Sequence, residues 1–236
     1  MSGRGPRLIS VKRGTPIGSL DVGTTVKLNV SGTPWEFLIV HQGLPSSLYD
    51  ASCDGTWLLM KDIYENRAWN SSDSNVYATS TVNTYLNSPF LGLFDSDIQS
   101  AIKQVKIPYR QNGGSGGTDQ SGANGLSAKI FLLGGYEVGF TTSVSQFFPV
   151  DGAKLAYFES GTGTSASNKR IANFGGRAGY WRLRSPHTNS TSSVWSVRSD
   201  GTGYSMSAST SYGIRPAFIL PPEFLVKDSM LAALAA

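Results

Sequence analysis

The sequence predicts an α+β fold made of short antiparallel strands, a few short helices and long loops. Of its 236 residues, 77 are Gly, Ser or Thr, which favours turns and exposed strands over helix interiors. Only 15% are charged, against ~25% in an average domain, which disfavours a helical bundle. Period-two alternation recurs along the chain, and helical spacing is confined to residues 80–108. With 39% apolar and 11% aromatic residues, one domain with a sizeable core is expected and wholesale disorder is excluded.

Residues 1–16 read as a basic flexible arm, because Arg4, Arg7, Lys12 and Arg13 fall in the first thirteen residues, which hold no acid. The remaining 16 basic side chains match the 16 acidic ones. The chain beyond the arm, which contains the body at residues 17–222, is therefore formally neutral, and a nucleic-acid face, which needs clustered Lys and Arg, is not expected. Val22–Val30 and Trp35–Val40 predict a hairpin across Ser31-Gly32-Thr33-Pro34, and Trp57–Met60 continues the sheet. Val82, Tyr85, Leu86, Phe90 and Leu93 predict a helix capped by Ser80 and broken by Pro89 near Asn87. A second helix is expected from Asp95 through Ile98, Ala101, Ile102 and Val105, with Lys103 and Lys106 in its last turn and Pro108 as its stop.

Residues 112–125 hold six glycines in fourteen positions and read as a loop without regular structure. Ile130–Leu133 is a buried-strand run. Residues 180–220 form a meander of short strands, in which Ser185–Tyr212 carries ten serines, four threonines and no Lys or Glu. Alternation assigns Trp181, Leu183, Trp195 and Val197, together with Ile214 and Phe218, to the core. It assigns Arg182, Ser196 and Arg198 to the exposed face. Arg184 and Arg215, beside Ser-Pro and Pro-Ala, are expected to be buried clamps on loop carbonyls or a carboxylate. The tail, residues 223–236, ends in Leu231-Ala232-Ala233-Leu234-Ala235-Ala236, readable as a docked end that buries Leu231 and Leu234 or as a degradation tag.

The chemistry of the common enzyme classes finds no support. Two histidines, one cysteine and scattered carboxylates show no metal-ligand spacing, so no metal or cofactor is expected. His41 reads as structural, Cys53 as a buried thiol, and Asp95 and Asp97 as helix-start residues. The glycine-rich loop lacks the Lys and Ser/Thr of a phosphate cradle. A single cysteine excludes an internal disulfide, no stretch is apolar enough to span a membrane, and no apolar run follows the N-terminal cations as in a signal peptide. Synthesis in a reducing cytoplasm is expected.

Tyr, Ser, Arg, Asn and Trp between residues 180 and 212 are the residues favoured in antibody-like paratopes, and an exposed sheet merely solvated by hydroxyls fits the same composition. Trp181-Arg182-Leu183-Arg184-Ser185-Pro186, Val194-Trp195-Ser196-Val197, Asp200-Gly201 and Gly213-Ile214-Arg215-Pro216-Ala217 resemble the C-terminal signature of an uncharacterised domain family of gut Firmicutes and their bacteriophages. Tyr49–Leu59 and Lys129–Leu133 extend the resemblance over most of residues 17–222. It implies a C-type-lectin-like fold, similar to formylglycine-generating enzymes and to the variable proteins of diversity-generating retroelements. It places the diversified positions among His187 to Tyr212.

The enzyme branch of that fold uses paired cysteines and this chain has one; the calcium-dependent sugar triplets of animal lectins are absent. The expected function is that of a non-catalytic phage virion protein that displays a ligand-binding surface for host or partner recognition. A structural head or tail decoration protein is the alternative. The expected ligand-binding residues are Tyr180, Arg182, His187, Asn189, Ser196, Arg198, Thr202, Tyr204, Ser205, Ser207, Ser209 and Tyr212, mostly exposed and contiguous. Trp181, Arg184, Trp195 and Arg215 are expected to support them. The expected partners are a host-surface protein or glycan receptor, other virion proteins through the terminal segments, and further copies in a homo-oligomer.

Overall fold

Ser31 and Gly32 both take positive φ (53° and 74°), the two-residue turn whose twist matches paired strands. It joins β1 (Thr25–Val30) to β2 (Thr33–Gln42), so Thr33 and Pro34, expected in the turn, open the second strand instead. Pro34 stands opposite Asn29, and the strand on the other side of β2 reaches only as far as Phe37. The missing N–H of Pro34 therefore breaks no ladder. The computed structural model describes residues 14–231. The arm cations Arg4, Arg7, Lys12 and Arg13, and Leu234 with the rest of the tail beyond Leu231, lie outside the described residues.

β3 (Thr56–Met60) is buried at all five positions, because cores press on both of its faces. β4 (Glu65–Ala68) follows. α1 (Thr81–Tyr85) begins where Ser80 Oγ accepts from Asn83 N. The helix does not break at Asn87: it widens into a π-turn over Leu86–Phe90 and closes with a 3-10 turn over Leu91–Leu93. A proline ring collides with the carbonyl four residues back in an α-turn, and the wider turn around Pro89 relieves that contact. Asn87 anchors the segment, donating to Ile130 O (2.9 Å) and accepting from Lys129 N (2.7 Å).

α2 (Ser96–Ala101) stops at Ile102 rather than at Pro108. Lys103 N donates to Ile219 O, and Val105–Ile107 pairs with Leu126–Ala128 as strand. Val105 and Ile107 are buried around an exposed Lys106, a period of two that overrides the helical reading. The glycine-rich stretch is a loop, yet Asp119–Gln120 pairs within it with Tyr109–Arg110, and Gly122–Asn124 makes a 3-10 turn.

β5 (Ile130–Phe131) is followed by a long loop segment and by α3 (Thr164–Arg170), which sequence spacing did not suggest. β6 (Trp181–Pro186), β7 (Ser193–Val197), β8 (Gly203–Ser207), β9 (Ser211–Ile214) and β10 (Ala217–Leu220) complete the set. Two five-stranded sheets result, in the orders β5-β10-β3-β2-β1 and β8-β7-β6-β9-β4. This is an α+β domain of small helices and mainly antiparallel strands; β6 and β9 run parallel. Its edges extend beyond 17–222: Thr15–Pro16 pairs with Leu225–Val226, and a half-buried Leu231 bridges to Val26.

The apolar side chains form two cores. Leu58, Met60, Phe37, Phe218 and Leu220 pack with the α1–α2 segment in one. Trp57, Leu59, Phe131 and Ile219 pack with Trp181, Leu183, Trp195 and Val197 in the other. All six residues assigned to a single core face are buried, but Ile214 and Phe218 belong to the first core and the other four to the second. The reason is topological: strands of both sheets are walls with apolar material on either side.

Candidate functional site

Register places Arg182 opposite Ser196, and Ser196 opposite Tyr204, so these three lie abreast on one face of the second sheet. Trp181, Val197 and Gly203 form the adjoining row on the reverse face. β9 adds Tyr212, whose ring lies 4.9 Å from the Arg182 guanidinium carbon. β4 adds Arg67, opposite Tyr212 and 3.5 Å above the ring of Tyr85. Val194, Ala208 and Ile214, farther along, are covered by Trp69, Tyr77 and Val82. The other end of the face stays open.

At that end Tyr180 stacks on Tyr212 at 5.3 Å and meets Tyr204 edge-on at 6.4 Å. Arg198 lies 4.1 Å from the centre of the Tyr204 ring. All four are half-buried, fixed by contact with one another while their edges reach solvent. Among the described residues, the hydroxyls of Tyr180, Tyr204 and Tyr212 and the guanidinium of Arg198 have no hydrogen-bond partner, and Arg198 Nε is itself buried.

The remaining positions expected on this surface are placed differently. Arg182 and Ser196 are fully buried, contrary to expectation. The Arg182 guanidinium is capped by Tyr212 and donates to Ser207 O (2.7 Å), Thr210 O (2.6 Å) and Ser196 Oγ (3.2 Å). It holds the β8–β9 turn in place of meeting a ligand, and burial lowers its pKa to about 10. His187 packs between Phe147 (4.7 Å) and Trp195 (5.3 Å), and burial lowers its pKa. Ser205 lies across from Trp195 on the reverse face. Ser207 and Ser209 donate to Asp73, Thr202 donates to Asp200 at 2.6 Å, and Asn189 is exposed in the β6–β7 loop. The twelve residues therefore do not form one contiguous exposed patch. Tyr180, Arg198, Tyr204 and Tyr212 do come together.

Buried side chains, Arg184 and Arg215 expected among them and Glu137, Asp151, Asn75 and Arg170 missed by sequence reading, brace the domain around the sheet. Arg184 is buried, as a clamp requires, and its fork meets Glu137 at 2.6 Å through both Nη1 and Nη2. It also donates to Pro108 O, Leu132 O and Asp151 O. Burial opposes its charge, and the facing Glu137 overrides that opposition, so Arg184 stays above arginine's usual pKa. Glu137 further accepts from Tyr49 OH (2.8 Å) and Gly134 N (2.8 Å). Asp151, beside them, accepts from Ser185 Oγ at 2.6 Å, and burial pushes its carboxyl up to about 7 against the pull of Arg184.

Arg215, also buried, donates to Met60 O and Lys61 O and stacks on Trp181 at 4.5 Å. Arg170 donates to Val138 O, Gly161 O and Gly201 O. Asn75 accepts from Gly113 N and donates to Ser190 O and Ser193 O, strapping the glycine-rich loop to the β6–β7 loop. A Cβ on Gly113 would sit 2.0 Å from Ser190 O, which is why glycine stands there. In a loop-rich chain, buried carbonyls outnumber the N–H groups that strands and helices can offer them, and arginine supplies up to five donors at once. Only the partners' positions in space reveal this role, although a Gly-Gly-Tyr-Glu turn flanked by apolar residues hints at a buried acid.

Cys53 is buried, and burial pushes its thiol up to about 12, so it is protonated at neutral pH and unsuited to nucleophilic attack. His41 Nδ1 accepts from Ala156 N, a structural contact. Asp95 caps no N–H with its side chain and accepts from Asn29 Nδ2. What the open end of the sheet can do chemically is donate hydrogen bonds from a preorganised aromatic and cationic surface. No curated protein and no solved structure matches this sequence. A domain of unknown function, DUF6273, matches residues 54–222, a span that holds both sheets' central strands and every residue of the tyrosine–arginine face, and the chain belongs to that family.

Proposed function

We propose that this chain is a non-catalytic binding module of a bacteriophage particle, of C-type-lectin-like fold, and that its ligand seats on the open end of the second sheet. The observation that carries the reading is the convergence of Tyr180, Tyr204, Tyr212 and Arg198, with unpartnered polar groups, on a sheet backed by two cores. Tyrosine gives contact area at small entropic cost, and rigid support lowers the cost of binding further. Related support comes from the resemblance of residues 181–186 and 213–217 to the C-terminal signature of an uncharacterised domain family, in whose retroelement-linked members the stretch between these motifs is rewritten. In this reading the positions open to diversification are Asn189, Arg198, Thr202, Tyr204, Ser209 and Tyr212. Arg182 and Ser196 stay constant as supports.

Shuffling residues 187–212 would disturb Trp195 and Val197 in the core, so the sharper test replaces Tyr180, Tyr204 and Tyr212 together by serine. Binding of the full chain to a panel of bacterial cell surfaces is then measured alongside thermal unfolding. Loss of binding with folding retained is expected. Unchanged binding by the folded triple variant would overturn the reading and favour a decoration protein.

A further inference from the structure

β8 is the outermost strand of its sheet and pairs only with β7. The ladder is bracketed by Arg198 N donating to Thr202 O and Ala208 N donating to Ser192 O. Antiparallel alternation therefore turns the backbone groups of Thr202, Tyr204 and Met206 inward, and those of Gly203 and Ser205 outward. Among the described residues no strand takes up those outward groups. An unpaired edge of this kind is a template for an extended chain. Tyr204, on this same strand, carries the Arg198 guanidinium over its ring at 4.1 Å. Among the described residues that guanidinium has no carboxylate within salt-bridge distance, and its buried Nε has no partner. Arg177, exposed on the Asn173–Ala178 hairpin that leads into Tyr180, likewise has none.

We propose, resting on the binding-module reading, that the occupant of this site is an acidic polypeptide segment that adds as a strand to the outer edge of β8 and places a carboxylate on Arg198. Main-chain bonds to Gly203 and Ser205 supply affinity for an extended backbone. The planar fork of Arg198, already oriented by Tyr204, supplies the preference for a carboxylate, which it can meet with two parallel bonds. The hydroxyls of Tyr180, Tyr204 and Tyr212 add donors that an acceptor-rich side chain can use.

The test is fluorescence anisotropy of the full chain with a labelled peptide of alternating glutamate and valine. Its lysine–valine counterpart, the acidic peptide N-methylated at every second residue, and polygalacturonate serve as comparison probes. The acidic peptide is expected to bind, with affinity reduced about tenfold or more by N-methylation or by Arg198→Gln. Ser205→Pro removes an outward N–H without touching the β7 ladder and is expected to act like N-methylation. Equal binding of the acidic and basic peptides, indifference to N-methylation, or absence of peptide binding overturns the proposal. Polygalacturonate binding without peptide binding overturns it in favour of an acidic glycan. Cell-surface binding that is lost in the triple tyrosine variant but kept in Arg198→Gln and Ser205→Pro would sink this proposal alone and leave the binding module standing.

Discussion

Arg182 and Arg184 stand two residues apart on β6, both buried, and they solve the problem of a buried charge in opposite ways. Arg184 meets a carboxylate through two bonds and three carbonyls besides. Among the described residues Arg182 meets two carbonyls, a serine hydroxyl and the face of Tyr212, and its Nε has no partner. Burial accordingly lowers the pKa of Arg182, whereas Glu137 keeps that of Arg184 above the ordinary value. The Arg184 site is a closed ionic cluster deep in the second core. The Arg182 site is the floor of an open face. The neutral solution of carbonyls plus aromatic ring is the one placed under the tyrosine–arginine surface.

The largest expected effect lies at the ionic cluster. Glu137→Gln leaves Arg184 without its counter-charge and should cost about 3–5 kcal/mol, read by denaturant unfolding; Arg184→Ala should fall in the same range because Glu137 is then buried alone. A loss below 1 kcal/mol in both would mean that water reaches the cluster.

Next comes the floor. Arg182→Ala should cost about 2 kcal/mol, because Ser207 O and Thr210 O lose their donor. Arg215→Ala should behave similarly through Met60 O and Lys61 O. If Arg182→Ala cost as much as Glu137→Gln, the distinction drawn between the two arginines would fail.

The cluster also carries a pH signature that the floor lacks. Burial pushes the folded carboxyl of Asp151 up to about 7, above an aspartate's ordinary 3.8. The folded state therefore holds this proton more tightly than the unfolded one, and the contribution to stability is present below pH ~4 and is lost as pH rises to about 7. Asp151→Asn should flatten that decline, by about 1–3 kcal/mol across the window. An unchanged slope of stability between pH 4 and 7 would refute it.

The smallest effects belong to the rim. Asn189→Tyr and Thr202→Ala should shift stability by no more than about 0.5 kcal/mol, since Asn189 is exposed and the Thr202 hydroxyl, the group Ala removes, bonds to the surface Asp200. A large loss at either position would show that the rim is part of the scaffold.

The α+β class, the hairpin across Ser31-Gly32, the Ser80 cap and the burial of Trp181, Leu183, Trp195 and Val197 were legible because each rests on local chemistry or on a period along one strand. The course of the chain after Ile102 was legible only in part. Val105-Lys106-Ile107 fits both a helix end and a strand, and pairing with Leu126–Ala128, some twenty residues on, decides for the strand. Pro89 suggested a break near Asn87 that does not occur: the segment absorbs the proline as a π-turn, with Asn87 tied to Lys129 and Ile130.

For the site, Tyr180, Arg198, Tyr204 and Tyr212 could be named from composition and alternation, and Arg184 and Arg215 from their Ser-Pro and Pro-Ala contexts. Glu137, Asp151, Asn75 and Arg170 could not, since nothing within a few residues of each marks its distant partner. What the sequence by itself determined is which side chains alternate and where the backbone can turn, because those depend on neighbours within a few positions. Only the tertiary structure decided what covers each face: the β8–β9 turn and Tyr212 close over Arg182 and Ser196, Trp69 and Tyr77 close over Val194 and Ile214, and the end with three tyrosines and Arg198 is left open. Alternation sorts residues into two sets, and burial follows from the packing of elements far apart in the chain.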